Sequence, residues 1–126
     1  MSSARLNHAE HNKKLSKQLF AEGVFLDWAN TTAFYSALHF VHSKLLPNTY
    51  NGIFCKNIED VYKAFQCKSK HEATSQLVQS GLPKVASSYS FLMNCSFTAR
   101  YVDYKVHPEH SKLCQKYLNI IRTACV

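Results

Sequence analysis

The sequence predicts an all-α fold, an up-and-down antiparallel bundle of four to five helices formed by residues 1–126 as a single domain. Gly and Pro occur only three times each in 126 residues, too rarely for the many turns of a β-sandwich. A hydrophobic content of 46%, with 13% aromatic residues, indicates a packed core. Long segments place apolar side chains at helical spacing, and the short connections between them favour antiparallel neighbours.

Two long helices are predicted in the N-terminal part of the chain. The first runs from about Arg5 to Glu22 and is followed by Gly23, with a scattered apolar side made of Ala9, Leu15 and Leu19. The second is capped by Asp27 and stopped by Pro47. Its apolar residues form two adjacent stripes, which places it at the centre of the bundle. One stripe consists of Trp28, Tyr35, Leu38 and Leu45, and the other consists of Phe34, Ala37 and Val41.

Shorter elements are predicted in the middle of the chain. The stretch PNTYNGIFCK, residues 47–56, is interpreted as a loop. Asn57 is expected to cap the short helix IEDVYKAF. The stretch SKHE, residues 69–72, has the form of a capping box, so we expect a helix from there through about Gln79 that ends at Gly81.

Two more long helices are predicted in the C-terminal part, each opened by a proline. Pro83 precedes the helix KVASSYSFLMNCSFTARY, and Pro108 opens the last helix. One face of the first of these carries Val85, Tyr89, Leu92 and Ala99, with Ala86, Met93 and Phe97 beside it. The last helix keeps helical spacing at Leu113, Tyr117, Ile120 and Ala124.

Charge and composition narrow the classes of partner. Fifteen Lys and Arg against eight Asp and Glu give a formal charge of +7, which suits a polyanion such as nucleic acid or a nucleotide. No apolar run is long enough to span a membrane, and the N-terminus lacks an apolar signal core, so we expect a cytoplasmic protein. Five cysteines without a C-x-x-C pair predict reduced thiols rather than disulfides or structural zinc.

The stretch TARYVDYKVHPEH, residues 98–110, contains the leading candidate residues, Arg100 and His107. Arg100 follows Phe97 by three residues and so borders the apolar face of its helix. On a continuous helix, Arg100 and His107 would share one side about 10 Å apart. Because Pro108 disfavours helical angles at the preceding residue, we expect His107 in a junction, turned toward Arg100 or toward a partner subunit. The simpler alternative is an Arg that complements a helix dipole beside an exposed His.

Other kinds of site have less support. Histidines three residues apart could share a helix face and bind a transition metal, at His8/His11, His39/His42 and His107/His110. The Glu-x-x-His pattern of di-metal bundles is absent, so we predict no metal and interpret His39 as a hydrogen-bonded core histidine. Without a G-x-S-x-G, P-loop or G-x-G-x-x-G motif, a kinase, a nucleotide hydrolase or a Rossmann oxidoreductase is not expected.

Four stretches, in this order and spacing, resemble the HEPN superfamily (higher eukaryotes and prokaryotes nucleotide-binding domain), particularly its small prokaryotic members. They are DWANTTAFYSALHFV (27–41), SKHEA (69–73), YSFLMNCSFTARYVDY (89–104) and HPEHSKLCQKYLNII (107–121). The resemblance covers nearly the whole chain, from about residue 8 to 122. It implies an all-α bundle that forms a homodimer.

The resemblance also implies a function and roles for individual residues. In many HEPN proteins four to six residues separate an Arg from a following His, and two copies meet to cut RNA without metal. Arg100 and His107, with six residues between them, match the longest of these spacings. His107 would move a proton from a ribose 2′-hydroxyl as general acid/base, and Arg100 would stabilise charge on the phosphate. The remaining expected site residues are Asp103 and Tyr104 in support, and Tyr101, Lys105 and His110 as RNA or nucleotide ligands.

Such an endoribonuclease, of the kind found in toxin–antitoxin and defence systems, would need no cofactor. A second hypothesis follows from superfamily members that bind without cleaving. On that hypothesis the chain is a non-catalytic module for a nucleotide, RNA or a nucleotidyltransferase-like partner protein.

Overall fold

A computed structural model describes residues 3–103 and 105–126 of the chain. These residues form six α-helices and one β-hairpin, which confirms the predicted all-α class. The elements are α1 (Ser3–Glu22), α2 (Leu26–Leu45), β1 (Asn48–Tyr50), β2 (Ile53–Cys55), α3 (Ile58–Ala64), α4 (Lys70–Gly81), α5 (Ala86–Tyr101) and α6 (Pro108–Cys125). A single 3-10 turn, Pro83–Val85, precedes α5. Within the described ranges, no helix combines the length and apolar character that crossing a membrane requires.

Helix α2 lies at the centre, in contact with α1, α4, α5 and α6. The stripe of Phe34, Ala37 and Val41 is completely buried, as predicted. Small residues let α1 approach closely, and two serine hydroxyls cross the interface to main-chain oxygens. Ser36 Oγ donates to the Ala9 carbonyl at 2.7 Å and Ser16 Oγ to the Ala29 carbonyl at 2.8 Å.

These bonds also give the direction of the helices. Residues further along α1 pair with residues earlier in α2, so the two helices are antiparallel. Helix α6 is antiparallel to α1 as well, because Gln115 bonds to Ser16 while Arg122 pairs with Glu10. It follows that α2 and α6 run in the same direction. The complete up-and-down bundle topology stays a prediction.

The stretch 47–56 is not the predicted loop but a two-stranded antiparallel hairpin. Thr49 pairs with Phe54, and the turn residues Asn51 and Gly52 have φ angles of 51° and 76°. Two consecutive positive φ angles are typical of a type I′ turn, for which Asn-Gly is the preferred sequence. The hairpin is attached to α2 by the Tyr50 hydroxyl, which donates to the Leu45 carbonyl at 2.7 Å.

The predicted helix caps are confirmed at two of three positions. Asn57 Oδ1 accepts the main-chain N–H of Asp60, and Ser69 Oγ accepts that of Glu72. The prediction that Asp27 caps α2 is wrong, because Phe25 occupies that position without a side-chain bond. Asp27 lies in the first turn instead, where its carboxylate complements the helix dipole.

Four residues of the predicted apolar faces are exposed instead. Trp28 and Phe97 each keep 54% of their surface, Ile120 keeps 40% and Leu15 keeps 39%. In α6 the buried face consists of Ser111, Cys114, Leu118 and Ile121, adjacent to the predicted stripe. Spacing identifies an apolar side of a helix, but the neighbouring helices decide how much of that side they cover.

The hydrogen-bonded histidine of α2 is His42 rather than the predicted His39. His42 Nε2 lies 3.0 Å from Thr74 Oγ1, and this hydroxyl donates to the Lys70 carbonyl, so it accepts the proton of the imidazole. His39 packs edge-on against His8 with ring centroids 4.4 Å apart. Across the residues that the structure describes, no group of three or more His, Cys, Asp or Glu side chains could hold a metal ion.

We expect the fold to lose stability as pH falls below about 6.5, chiefly because of His42. Burial and the charges of His39 and Arg5 lower the pKa of His42 to about 3, and burial beside His8 lowers that of His39 to about 4. Because these pKa values are lower in the folded state, the unfolded chain takes up protons first as pH falls. His42 alone should cost about 3 kcal/mol by pH 4.5, whereas the half-exposed His39 adds less because of solvent screening.

Urea unfolding between pH 8 and 4.5 measures this loss. The midpoint should be constant above about pH 7 and fall below 6.5. His42→Gln keeps an amide donor for Thr74 without titrating, so most of the fall should disappear in that variant. The exposed His11→Gln should behave as the parent. An unchanged pH dependence in His42→Gln would contradict this assignment.

Candidate functional site

The candidate residues lie around the junction between α5 and α6. Helix α5 ends at Tyr101, and the predicted break at Pro108 is confirmed, because His107 has extended angles of φ −70° and ψ 129°. His107 is the N-cap of α6, with its Nδ1 accepting the Glu109 N–H at 3.1 Å. The connection is shaped by Asp103, whose Oδ1 accepts the Lys105 N–H at 2.9 Å. Tyr104, one of the expected supporting residues, lies outside the described residues.

A pocket of about 380 Å³ opens beside this junction. We call it the α5–α6 pocket, lined by Asn30, Phe91, Asn94, Cys95, Thr98, Ala99, Asp103, Lys105, Val106, His107 and His110. Four of the expected site residues therefore lie together: Asp103, Lys105, His107 and His110. The rings of His107 and His110 are 5.8 Å apart between centroids. Lys105, the two histidines and Asp103 are exposed and form the rim of the pocket.

The rest of the pocket lining combines apolar side chains with two amides, a thiol and the hydroxyl of Thr98. Phe91 and Ala99 provide apolar walls. A hydrogen bond with Cys114 lowers the pKa of the Cys95 thiol. Asn30 is 1% exposed, and its Oδ1 has no hydrogen-bond partner among the described residues.

Sequence reasoning missed Asn30, which comes from α2, far from the junction along the chain. The signal available was an Asn between Ala29 and two threonines in an otherwise apolar central helix. A buried amide in such a helix requires a partner. Only the tertiary contact between α2 and α5 reveals which pocket it lines.

Arg100 occupies a different environment, between α5 and α2. Its Nη1 donates to the Tyr35 hydroxyl at 2.8 Å, and its guanidinium carbon lies 5.4 Å and 5.2 Å from the ring centroids of Tyr35 and Tyr101. The Nε atom is buried without a hydrogen-bond partner in the described ranges. His71 of α4 is near enough that burial and the charge of Arg100 together lower its pKa.

Arg100 and His107 of one chain have different partners and are not in direct contact. The pocket residues of α5, such as Asn94 and Thr98, lie about 120–160° around the helix from Arg100. No hydrogen bond or ring contact joins Arg100 to His107 in the described part of the chain. Tyr101 accompanies Arg100 rather than the rim of the pocket.

The surface around Arg100 is unusually apolar for an exposed region. Phe97, Tyr101 and Val102 are exposed by 54%, 69% and 71%, and the rings of Phe97 and Tyr101 lie 5.2 Å apart. We call these three residues and Arg100 the Arg100–Tyr101 surface. It combines exposed aromatic rings with a cation, a composition common at sites that contact nucleic acid or another protein.

Comparison with known proteins gives no further information about the family or the function of this chain. No protein-family model matches the chain, and neither a curated protein nor a solved structure matches it significantly.

Proposed function

We propose that this chain is an HEPN-like homodimer that acts on RNA, with the α5–α6 pocket as the place where a nucleotide of the RNA binds. The observation that carries the proposal is the composition of the pocket. Its exposed rim carries the Lys105 ammonium and the imidazoles of His107 and His110, and its wall contains a buried amide whose Oδ1 has no partner among the described residues. Phosphate suits the rim, while an organic group with hydrogen-bonding edges suits the interior.

The charge of the chain supports an anionic partner. Fifteen Lys and Arg are present, whereas ion pairs between side chains in the described ranges engage only Lys70 and Arg122. Unpaired surface cations attract the phosphate backbone and release counterions when RNA binds. Binding should therefore weaken steeply as salt increases.

The cap of α6 refines the role proposed for His107. An Nδ1 that accepts the Glu109 N–H carries a lone pair, so a neutral His107 holds its proton on Nε2. In this tautomer Nε2 donates a hydrogen bond, which suits a phosphate oxygen. Acting as a base through Nε2 would require a change of tautomer and loss of the cap. His110 makes no such cap and can take either tautomer, so it is the alternative proton acceptor.

Cleavage would require Arg100 from a second copy, because Arg100 of the same chain bonds to Tyr35 and does not line the pocket that His107 lines. The Arg100–Tyr101 surface offers apolar area that a second copy could cover. In a symmetric dimer, Arg100 of each copy would then stand at the pocket of the other. There, Arg100 would stabilise the charge on phosphate while an imidazole removes the proton of a ribose 2′-hydroxyl.

The binding-only hypothesis is the second candidate, favoured by the separation of Arg100 from the pocket. It predicts salt-sensitive binding of RNA or nucleotide without cleavage. Absence of binding at low salt would contradict both hypotheses.

The decisive activity experiment mixes two inactive variants. Arg100→Ala and His107→Asn should each reduce cleavage of single-stranded RNA in EDTA by about 100-fold or more. After unfolding and refolding the two together, half of the dimers should contain both chains, each with one intact composite site. About one quarter of the parent activity should return.

Two controls accompany the mixing experiment, one in the RNA and one in the protein. RNA with 2′-O-methyl ribose should resist cleavage, because it lacks the attacking hydroxyl. Lys84→Ala removes an exposed charge in the 3-10 turn before α5 and should retain activity. Dimers without recovered activity would contradict a site shared by two chains, and full activity of both variants would contradict the residue assignment.

A matched pair of substitutions should separate the structural role of His107 from its role in binding. His107→Ala removes the cap and should lower the free energy of unfolding by about 1 kcal/mol. His107→Asn restores a preferred capping side chain and should recover most of that stability, as measured by urea unfolding at pH 7.5. Neither variant should recover the RNA affinity of the parent. Recovery of affinity together with stability in His107→Asn would show that His107 acts through the cap alone.

A further inference from the structure

We infer that the α5–α6 pocket takes up one unpaired nucleobase, which is read by the amide of Asn30. This inference rests on the proposed action on RNA and specifies what the protein contacts beyond the phosphate backbone. It is carried by Asn30, which was not among the residues expected from the sequence.

The buried Asn30 Oδ1 lowers the stability of the free protein because it makes no hydrogen bond within the described part of the chain. Only 1% of the residue is exposed, and its Oδ1 has no partner among the described residues, although most buried polar groups in proteins have one. The same side chain lines the α5–α6 pocket. A group that enters the pocket with hydrogen-bonding atoms would recover the missing interaction.

A nucleobase has the chemistry that this environment recognises. A primary amide presents one acceptor and two donors side by side, which match the adjacent donor and acceptor atoms on the edge of a base. Phe91 and Ala99 offer apolar walls for the faces of the base, and Asn94 adds a second amide. Ribose and phosphate have no comparable apolar faces.

The arrangement of charge orients the ligand. Asn30 lies at the buried side, whereas Lys105, His107 and His110 lie at the exposed rim. A nucleotide would therefore enter with its base first and leave its phosphate on the rim. A volume of about 380 Å³ is near the lower end of ligand pockets, so one nucleotide is the expected occupant. The base must be unpaired, because a paired base is held within the helical stack.

Calorimetry on the unmodified protein tests the inference directly. The four ribonucleoside 5′-monophosphates are compared with ribose 5-phosphate at low salt. At least one nucleotide should bind about tenfold or more tightly than ribose 5-phosphate, the usual contribution of a well-placed base contact. Equal affinities would overturn the inference, because the pocket would then recognise only phosphate and sugar.

Asn30→Leu provides an independent test, because it should weaken nucleotide binding without lowering the stability of the protein. Replacing a buried amide whose Oδ1 has no partner among the described residues by an apolar group of similar size should leave the melting temperature unchanged or raise it. The same change should weaken nucleotide binding about tenfold and abolish the preference over ribose 5-phosphate. Asn119→Leu, at an exposed position of α6 outside the pocket, should alter neither property.

The outcomes distinguish this inference from the proposed function. Salt-sensitive RNA binding that is equal for ordinary and abasic RNA, and unchanged in Asn30→Leu, would retain the action on RNA and overturn base recognition. Absence of any RNA or mononucleotide binding would overturn the proposed function itself. A lower melting temperature in Asn30→Leu would identify the amide as a structural group and contradict its assignment to a ligand.

Discussion

Helix α2 loses most of its surface to α1, α4, α5 and α6, and this burial places both groups of candidate residues. From α2, Asn30 reaches the α5–α6 pocket and Tyr35 reaches Arg100. The two residues are about 140° apart around α2, so one helix supports sites on opposite flanks of α5. Bonds from Ser16 and Ser36 hold α1 against the same helix at close range. A change that shifted α2 would therefore disturb both sites together.

Much of the fold could be predicted because its signals are local. Asn57, Ser69 and Pro108 mark helix starts through bonds or steric effects within a few residues, and the structure confirms all three. The hairpin was missed although Asn51-Gly52 is a strong local turn signal. Exposure of Trp28 could not be predicted in this way, because it depends on the area that neighbouring helices cover.

In the candidate site too, the positions set by local signals could be predicted from the sequence, and those set by contacts between helices could not. Its C-terminal residues could be predicted to lie near the break at Pro108, and Asp103, Lys105, His107 and His110 do line one pocket. The separation of Arg100 from that pocket depends on its angle around α5 and on the anchoring hydroxyl of Tyr35. Asn30 contributes through contact between distant segments, which short-range sequence patterns do not indicate.

Five buried side-chain polar atoms have no hydrogen-bond partner among the described residues, and two of them, the Arg100 Nε and the Asn30 Oδ1, lie on the two flanks of α5. Each costs free energy in the free protein, so stability of the isolated chain does not explain them. Arg100 of the same chain is bonded to Tyr35, on the flank of α5 away from the pocket residues Asn94 and Thr98. A phosphate at the dimer interface would give its guanidinium a bidentate partner, and a base would satisfy Asn30. A dimer bound to RNA would thus satisfy both groups at once, so ligand and second copy should stabilise each other's binding.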